Sequence, residues 1–127
     1  MKIQAKGKLA SSPTRNDILE LIRSFSGHQN ILTIPAEFKH YVGSLDAALF
    51  LSQCLFRSTS PSAQVREGWF YKSYKDWQDE IFLGEYEVRK AVKVLKGKGI
   101  LETAVRRAEG NPTVHYRIDM HRFSESF

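Results

Sequence analysis

The sequence predicts a mainly α-helical domain with one small β-hairpin, on three observations. Residues 45–56 are apolar on nearly every side, and Val88, Ala91, Val92 and Leu95 recur at spacings of three and four, the period of a helix with one face in a core. Only Ile81, Phe82, Leu83 and Gly84 separate the helix of residues 84–98 from the one before it, over 74–80, and so short a link turns the chain steeply. Beyond Gly99 the pattern changes to alternation in two runs, 100–107 and 113–119, joined by Ala108, Glu109, Gly110, Asn111 and Pro112. Two alternating runs across a turn-rich link make a hairpin.

In chain order, residues 1–12 carry Lys2, Lys6 and Lys8 among small and polar residues and read as a flexible basic arm, either touching phosphate or simply exposed. Pro13 suits a first helical turn, with Ser12 or Thr14 as its cap. Ile18, Leu19, Ile22 and Phe25 form the apolar stripe of that helix, and Gly27 stops it. Ile31, Leu32, Thr33 and Ile34 are β-prone; Pro35 then opens a short helix to about Tyr41, closed by Gly43. Residues 13–43 thus form a helix-strand-helix extension ahead of a domain spanning 44–119. Within that domain, residues 57–68 are rich in serine with Pro61 and read as a surface loop. Trp69, Phe70 and Tyr71 form a short strand. Ser73 with Asp76 three positions on is a capping box for the helix over 74–80, which turns Trp77 and Ile81 inward. Residues 120–127 are left as a C-terminal tail.

At 127 residues and 42% hydrophobic content, the chain can bury the core of one domain. No apolar run approaches the roughly 20 residues of a membrane-spanning helix. The opening residues lack the apolar stretch of a secretory signal, so an intracellular, cytoplasmic protein is expected. The single cysteine, Cys54, lies in the apolar run 47–56 and reads as a buried structural thiol. A net charge of +5 invites a polyanion, and its distribution says where. Residues 1–12 hold three lysines and no acid, 13–83 hold seven bases against eight acids, and 84–127 hold nine against six.

The positive charge of the C-terminal third has a shape. At about 100° per residue, the helix face opposite Val88 and Leu95 is centred on Tyr86, Lys90 and Lys93, with Arg89, Lys96 and Glu85 along one flank. Such a face either meets phosphates and guanine edges in a major groove or is a plain solvated surface. In the hairpin, Val114, Tyr116 and Ile118 share one face, His115 and Arg117 share the other, and Arg106 and Arg107 stand at the tip. Helix, turn, helix and basic hairpin in that order make a winged helix-turn-helix, here with the helix-strand-helix extension at its N-terminus. The candidate DNA contacts are Tyr86, Arg89, Lys90, Lys93, Arg106, Arg107, Asn111 and Arg117. His115 is expected at the hairpin surface, as a phosphate contact or a plain surface histidine. Tyr71, Tyr74 and Trp77 are either stacking surfaces for single strands or core packing.

Four stretches carry a resemblance: Leu45, Asp46, Ala47, Ala48, Leu49, Phe50, Leu51, Ser52 and Gln53; Gly68, Trp69, Phe70, Tyr71, Lys72, Ser73, Tyr74, Lys75, Asp76 and Trp77; Glu85, Tyr86, Glu87, Val88, Arg89, Lys90 and Ala91; and Pro112, Thr113, Val114, His115, Tyr116 and Arg117. Together they resemble the winged-helix domain of phage and plasmid replication proteins, over residues 31–119. The order of elements also resembles the N-terminal half of DnaD-type primosome proteins. That resemblance implies self-association through residues 13–43 as a homodimer or higher assembly, with replication proteins as further partners. The chain departs from the pattern at Gly84 and Glu85, where such proteins often carry a serine cap and a basic residue. Glu85 and Glu87 suit the positive end of a helix, at about 0.3 to 1 kcal/mol each, but repel phosphate, so backbone binding by the hairpin is the firmer expectation.

Catalytic motifs are missing from the sequence: there is no phosphate-cradling Gly-Lys-Ser/Thr loop, no nucleophile elbow, and His28, His40, His115 and His121 are scattered. No enzymatic activity, cofactor or metal is expected. The expected function is binding of double-stranded DNA in replication initiation, in control of a mobile element, or in transcription. The alternative is a winged-helix module for protein-protein interaction in a replication or regulatory assembly.

Overall fold

The computed structural model describes residues 34–127 and, before them, Asp17 and Glu20, both helical and exposed. The basic arm, the rest of the first expected helix and the β-prone run apart from Ile34 lie outside the described residues. Over residues 34–127 there are six helices and a small antiparallel sheet. The helices are α1 (Ala36–Val42), α2 (Leu45–Ser58), α3 (Pro61–Gln64), α4 (Tyr74–Ile81), α5 (Glu85–Gly97) and α6 (Met120–Ser126). The strands are β1 (Phe70–Tyr71), β2 (Leu101–Ala108) and β3 (Asn111–Ile118), in the spatial order β1-β3-β2.

Local chemistry sets most of the helix ends. Gly43 closes α1 in the left-handed region, at φ 90°, and returns its N–H to the Lys39 carbonyl. The Ser44 hydroxyl then caps α2 by accepting from the Ala47 N–H at 3.1 Å. Ala47, Ala48, Phe50, Leu51, Cys54 and Leu55 are all buried, so α2 is the central helix, against which α1, α5 and β3 pack. Burial pushes the Cys54 thiol well above its ordinary pKa, leaving it protonated and inert. The capping box of α4 is present in both directions: Asp76 N–H to Ser73 Oγ and Ser73 N–H to Asp76 Oδ2, each 3.0 Å. At α5 only the return half exists, because Gly84 has no side chain: its N–H donates to Glu87 Oε1 at 3.0 Å.

The floor of the domain is aromatic. Phe50, Phe70, Trp77 and Tyr116 meet around the junction of α2, α4 and the sheet, and Trp77 Nε1 donates to the Tyr116 hydroxyl at 3.3 Å. Beside them, Glu80 of α4 accepts from Lys72 and from Gln53 of α2, and pairs with Arg57 at 3.1 Å. Lys72 is only 8% exposed, so this carboxylate neutralises a charge largely withdrawn from water.

Several elements differ from the sequence reading. The serine-rich stretch 57–68 contains the end of α2 and the short helix α3, capped by Ser60 with Pro61 in its first turn. Four residues are too few to show a helical period. Residues 120–127, expected as a tail, form α6, whose Phe123 is fully buried edge-on against Phe38 of α1, with Phe127 stacked beside it. Phe38, Val42 and Phe123 belong to one core cluster with α2 and the sheet. The hairpin is longer than expected. Ala108 pairs with Asn111, so the link shrinks to Glu109 and Gly110, both at positive φ, 53° and 83°. Pro112 is tolerated inside β3 because β1 pairs only with His115 and Tyr116, leaving β2 as the sole neighbour at Pro112. His115 is not at the surface: it is 9% exposed, covered by the Tyr71 ring at 5.1 Å, with Nδ1 held 3.0 Å from the Thr113 carbonyl. The expected strand β1 covers it by pairing with β3, which the sequence did not show, and the phosphate contact considered for His115 is thereby excluded.

Candidate functional site

Helix α5 turns Val88, Ala91 and Leu95 into the core and leaves Glu85, Tyr86, Arg89, Lys90, Lys93 and Lys96 exposed. The face deduced from the period is therefore the face that meets solvent. Glu85 and Glu87 both have local tasks. Glu85 holds Arg89 one turn on at 2.7 Å, and Glu87 satisfies the Gly84 N–H. The first turn is thus acidic for reasons internal to the helix, and Arg89 is part neutralised, its guanidinium resting 5.4 Å from the Tyr74 ring centre. Lys90 lies over the Tyr86 ring at 5.8 Å. None of the ion pairs among the described residues involves Lys90, Lys93, Lys96, Arg106 or Arg107.

The hairpin divides its cations between two faces. Residues of a strand alternate sides, and the register sets Leu101, Thr103, Val105 and Arg107 on the side of Tyr116 and Val114. That side looks toward α5, because Lys96 Nζ reaches Thr103 Oγ1 at 2.9 Å. A groove of about 420 Å³ opens there, lined by Arg89, Lys93 and Lys96 from the helix and Thr103 and Val114 from the hairpin. Its floor is Tyr116, whose phenol is raised in pKa by burial and stays neutral. Arg107 shares the sheet face of this groove, farther toward the turn, where it also donates to the Gly110 carbonyl at 3.1 Å.

The opposite sheet face holds Arg106 and Arg117. Both guanidinium groups lie 4.9 Å from the Trp69 ring centre. Arg117 further pairs with Glu102 at 2.8 Å. Asn111 lines a second groove, of about 450 Å³, together with Asp76, Glu109 and Tyr71, the last donating to Glu109 at 3.1 Å. An acidic rim of that kind disfavours phosphate. Of the eight candidate contacts, Tyr86, Arg89, Lys90, Lys93 and Arg107 are thus brought to the α5 side, and Arg106, Asn111 and Arg117 are not. In comparisons with known protein families, curated proteins and solved structures, nothing matches this chain. Geometry and charge carry the functional argument.

Two residues of this side were not singled out by sequence reasoning. Lys96 was assigned to the flank of the helix, yet it bridges to the hairpin. Phe82, in the turn between α4 and α5, is 75% exposed and occupies the left-handed region at φ 58°. Its apolar character gave it the signature of a core residue. Among the described residues, no group of His, Cys, Asp or Glu side chains could hold a metal ion, and no helix is long and apolar enough to cross a membrane.

Proposed function

We propose that the chain is a winged helix-turn-helix protein that binds duplex DNA, with α5 as the reading helix and β2–β3 as the wing. The observation that carries this reading is the convergence of Lys93, Lys96 and Arg89 with the hairpin face bearing Thr103 and Arg107 around one open groove. A three-residue turn, Phe82 to Gly84, sets α5 against α4, and the hairpin follows directly. The acids at the start of α5, which count against phosphate in the bare sequence, are occupied by Arg89 and by the Gly84 N–H. Affinity comes chiefly from phosphates. Lys90, Lys93, Lys96 and Arg107 supply four contacts, and Arg89 a fifth when its pair with Glu85 opens.

Fluorescence anisotropy on a labelled duplex, titrated at several salt concentrations, tests the reading. Four to five phosphate contacts give a log-log slope of about −3.6 to −4.5. Absence of binding to any duplex at about 50 mM salt refutes it and leaves the protein-interaction module in its place. The reading gives the chain no catalytic role and no cofactor. Its process, replication initiation, mobile-element control or transcription, follows from the site selected out of a random duplex pool. Self-association is assigned to residues 13–43, tested by light scattering on a chain shortened by residues 1–33. That cut spares Phe38, which the core needs.

A further inference from the structure

Of all the aromatic side chains among the described residues, only Phe82 and Tyr86 are exposed, at 75% and 71%. They flank the same turn, four positions apart, while every other described Phe, Tyr and Trp ring is buried or half-buried. The position of Phe82 adds a second observation. It ends α4 at φ 58°, returning its N–H to Gln78 O at 3.0 Å, a role glycine or asparagine fills with less strain. Its ring gains no core contact in return. The surroundings point to the occupant: Lys90 lies against Tyr86, Lys93 follows on the same face, and neither has a carboxylate partner among the described residues. An exposed ring beside unpaired cations, with a second exposed ring four positions before it, suits a ligand that is anionic and carries flat faces.

Resting on the duplex-binding reading above, we infer that Phe82 and Tyr86 stack on unpaired bases, so that the protein prefers duplex DNA with a bulge or gap over intact duplex. Paired bases hide their faces within the helix stack. Unpaired ones offer them to any ring held beside the backbone, and stacking tolerates all sequences.

The test uses the full chain and three probes: an intact duplex, the same duplex with a two-nucleotide bulge, and that bulge carrying 2-aminopurine. The bulged duplex is expected to bind about tenfold tighter than the intact one, in keeping with the usual strength of a base on an aromatic ring. The 2-aminopurine emission is expected to be quenched on binding. Phe82→Asn suits the left-handed backbone, so it keeps the melting temperature at or above that of the parent. It should abolish the preference while leaving affinity for intact duplex in place. Phe82→Tyr should retain the preference. Equal affinity for both duplexes, or equal weakening of both by Phe82→Asn, overturns the inference while the duplex reading stands. Failure to bind either duplex overturns both. If Phe82→Asn leaves DNA binding unchanged but converts a dimer to a monomer in light scattering, the rings form a subunit contact and the inference is wrong.

Discussion

Arg106 and Arg107 are neighbours in sequence with opposite surroundings, and replacing each by alanine separates the two faces of the hairpin. Arg107 lies on the face turned toward α5 and has no acid partner among the described residues; Arg106 lies on the other face, 4.9 Å from the Trp69 ring. If Arg107 neutralises one phosphate, Arg107→Ala lowers the magnitude of the salt slope by about 0.9. At about 0.1 M salt that is roughly eightfold in affinity, or about 1.2 kcal/mol. Its hydrogen bond to Gly110 is exposed, so stability changes by less than about 0.5 kcal/mol. For Arg106→Ala the ledger reverses. Loss of an exposed cation–π contact lowers stability by about 0.5 to 1 kcal/mol, while the salt slope stays where it was. Anisotropy at four salt concentrations and urea unfolding of the same three proteins give both readouts. Equal slope changes for the two variants, or a larger one for Arg106→Ala, refute the assignment of DNA to the α5 side.

Three further outcomes follow from the packing. Glu80→Ala strands the buried Lys72 and should cost about 3 kcal/mol in urea unfolding, most of it recovered in Glu80→Ala with Lys72→Met, because an apolar stem in that place leaves no unpaired charge. The Ser73 N–H holds the Asp76 carboxyl below its ordinary pKa. Its contribution is therefore present above the unfolded value of about 3.9 and lost as pH falls through the lower folded value; urea midpoints from pH 5 downward should show a shallower acid decline in Asp76→Asn. Phe123→Ala removes a fully buried ring between α1 and α6 and should destabilise by about 3 kcal/mol. A thermal melt unchanged by that substitution would mean that α6 does not dock.

Elements governed by neighbours in the chain were legible in the sequence. The exposed face of α5, the box at Ser73 and Asp76, the glycine closure of α1 and the alternation of β3 all depend on periods or contacts spanning a few residues. Elements governed by distant partners were not. Residues 120–127 carry little periodicity of their own, and α6 has its partner, Phe38, 85 positions before Phe123. The candidate site divides the same way. Lys90 and Lys93 could be assigned from the helical period alone, whereas Arg117 looked free until the strand register brought Glu102 across from it.

By itself the sequence determined a helical chain with a hairpin, and a basic surface in its last third, because backbone periodicity and charge are local quantities. Only the tertiary structure decided which cations face one another. It turned Arg107 toward α5 and Arg106 toward Trp69, set Glu102 across from Arg117, covered His115 with Tyr71, and left the apolar Phe82 in solvent. Exposure and pairing are set by what the remainder of the fold packs against a residue, and no window of neighbouring sequence contains that.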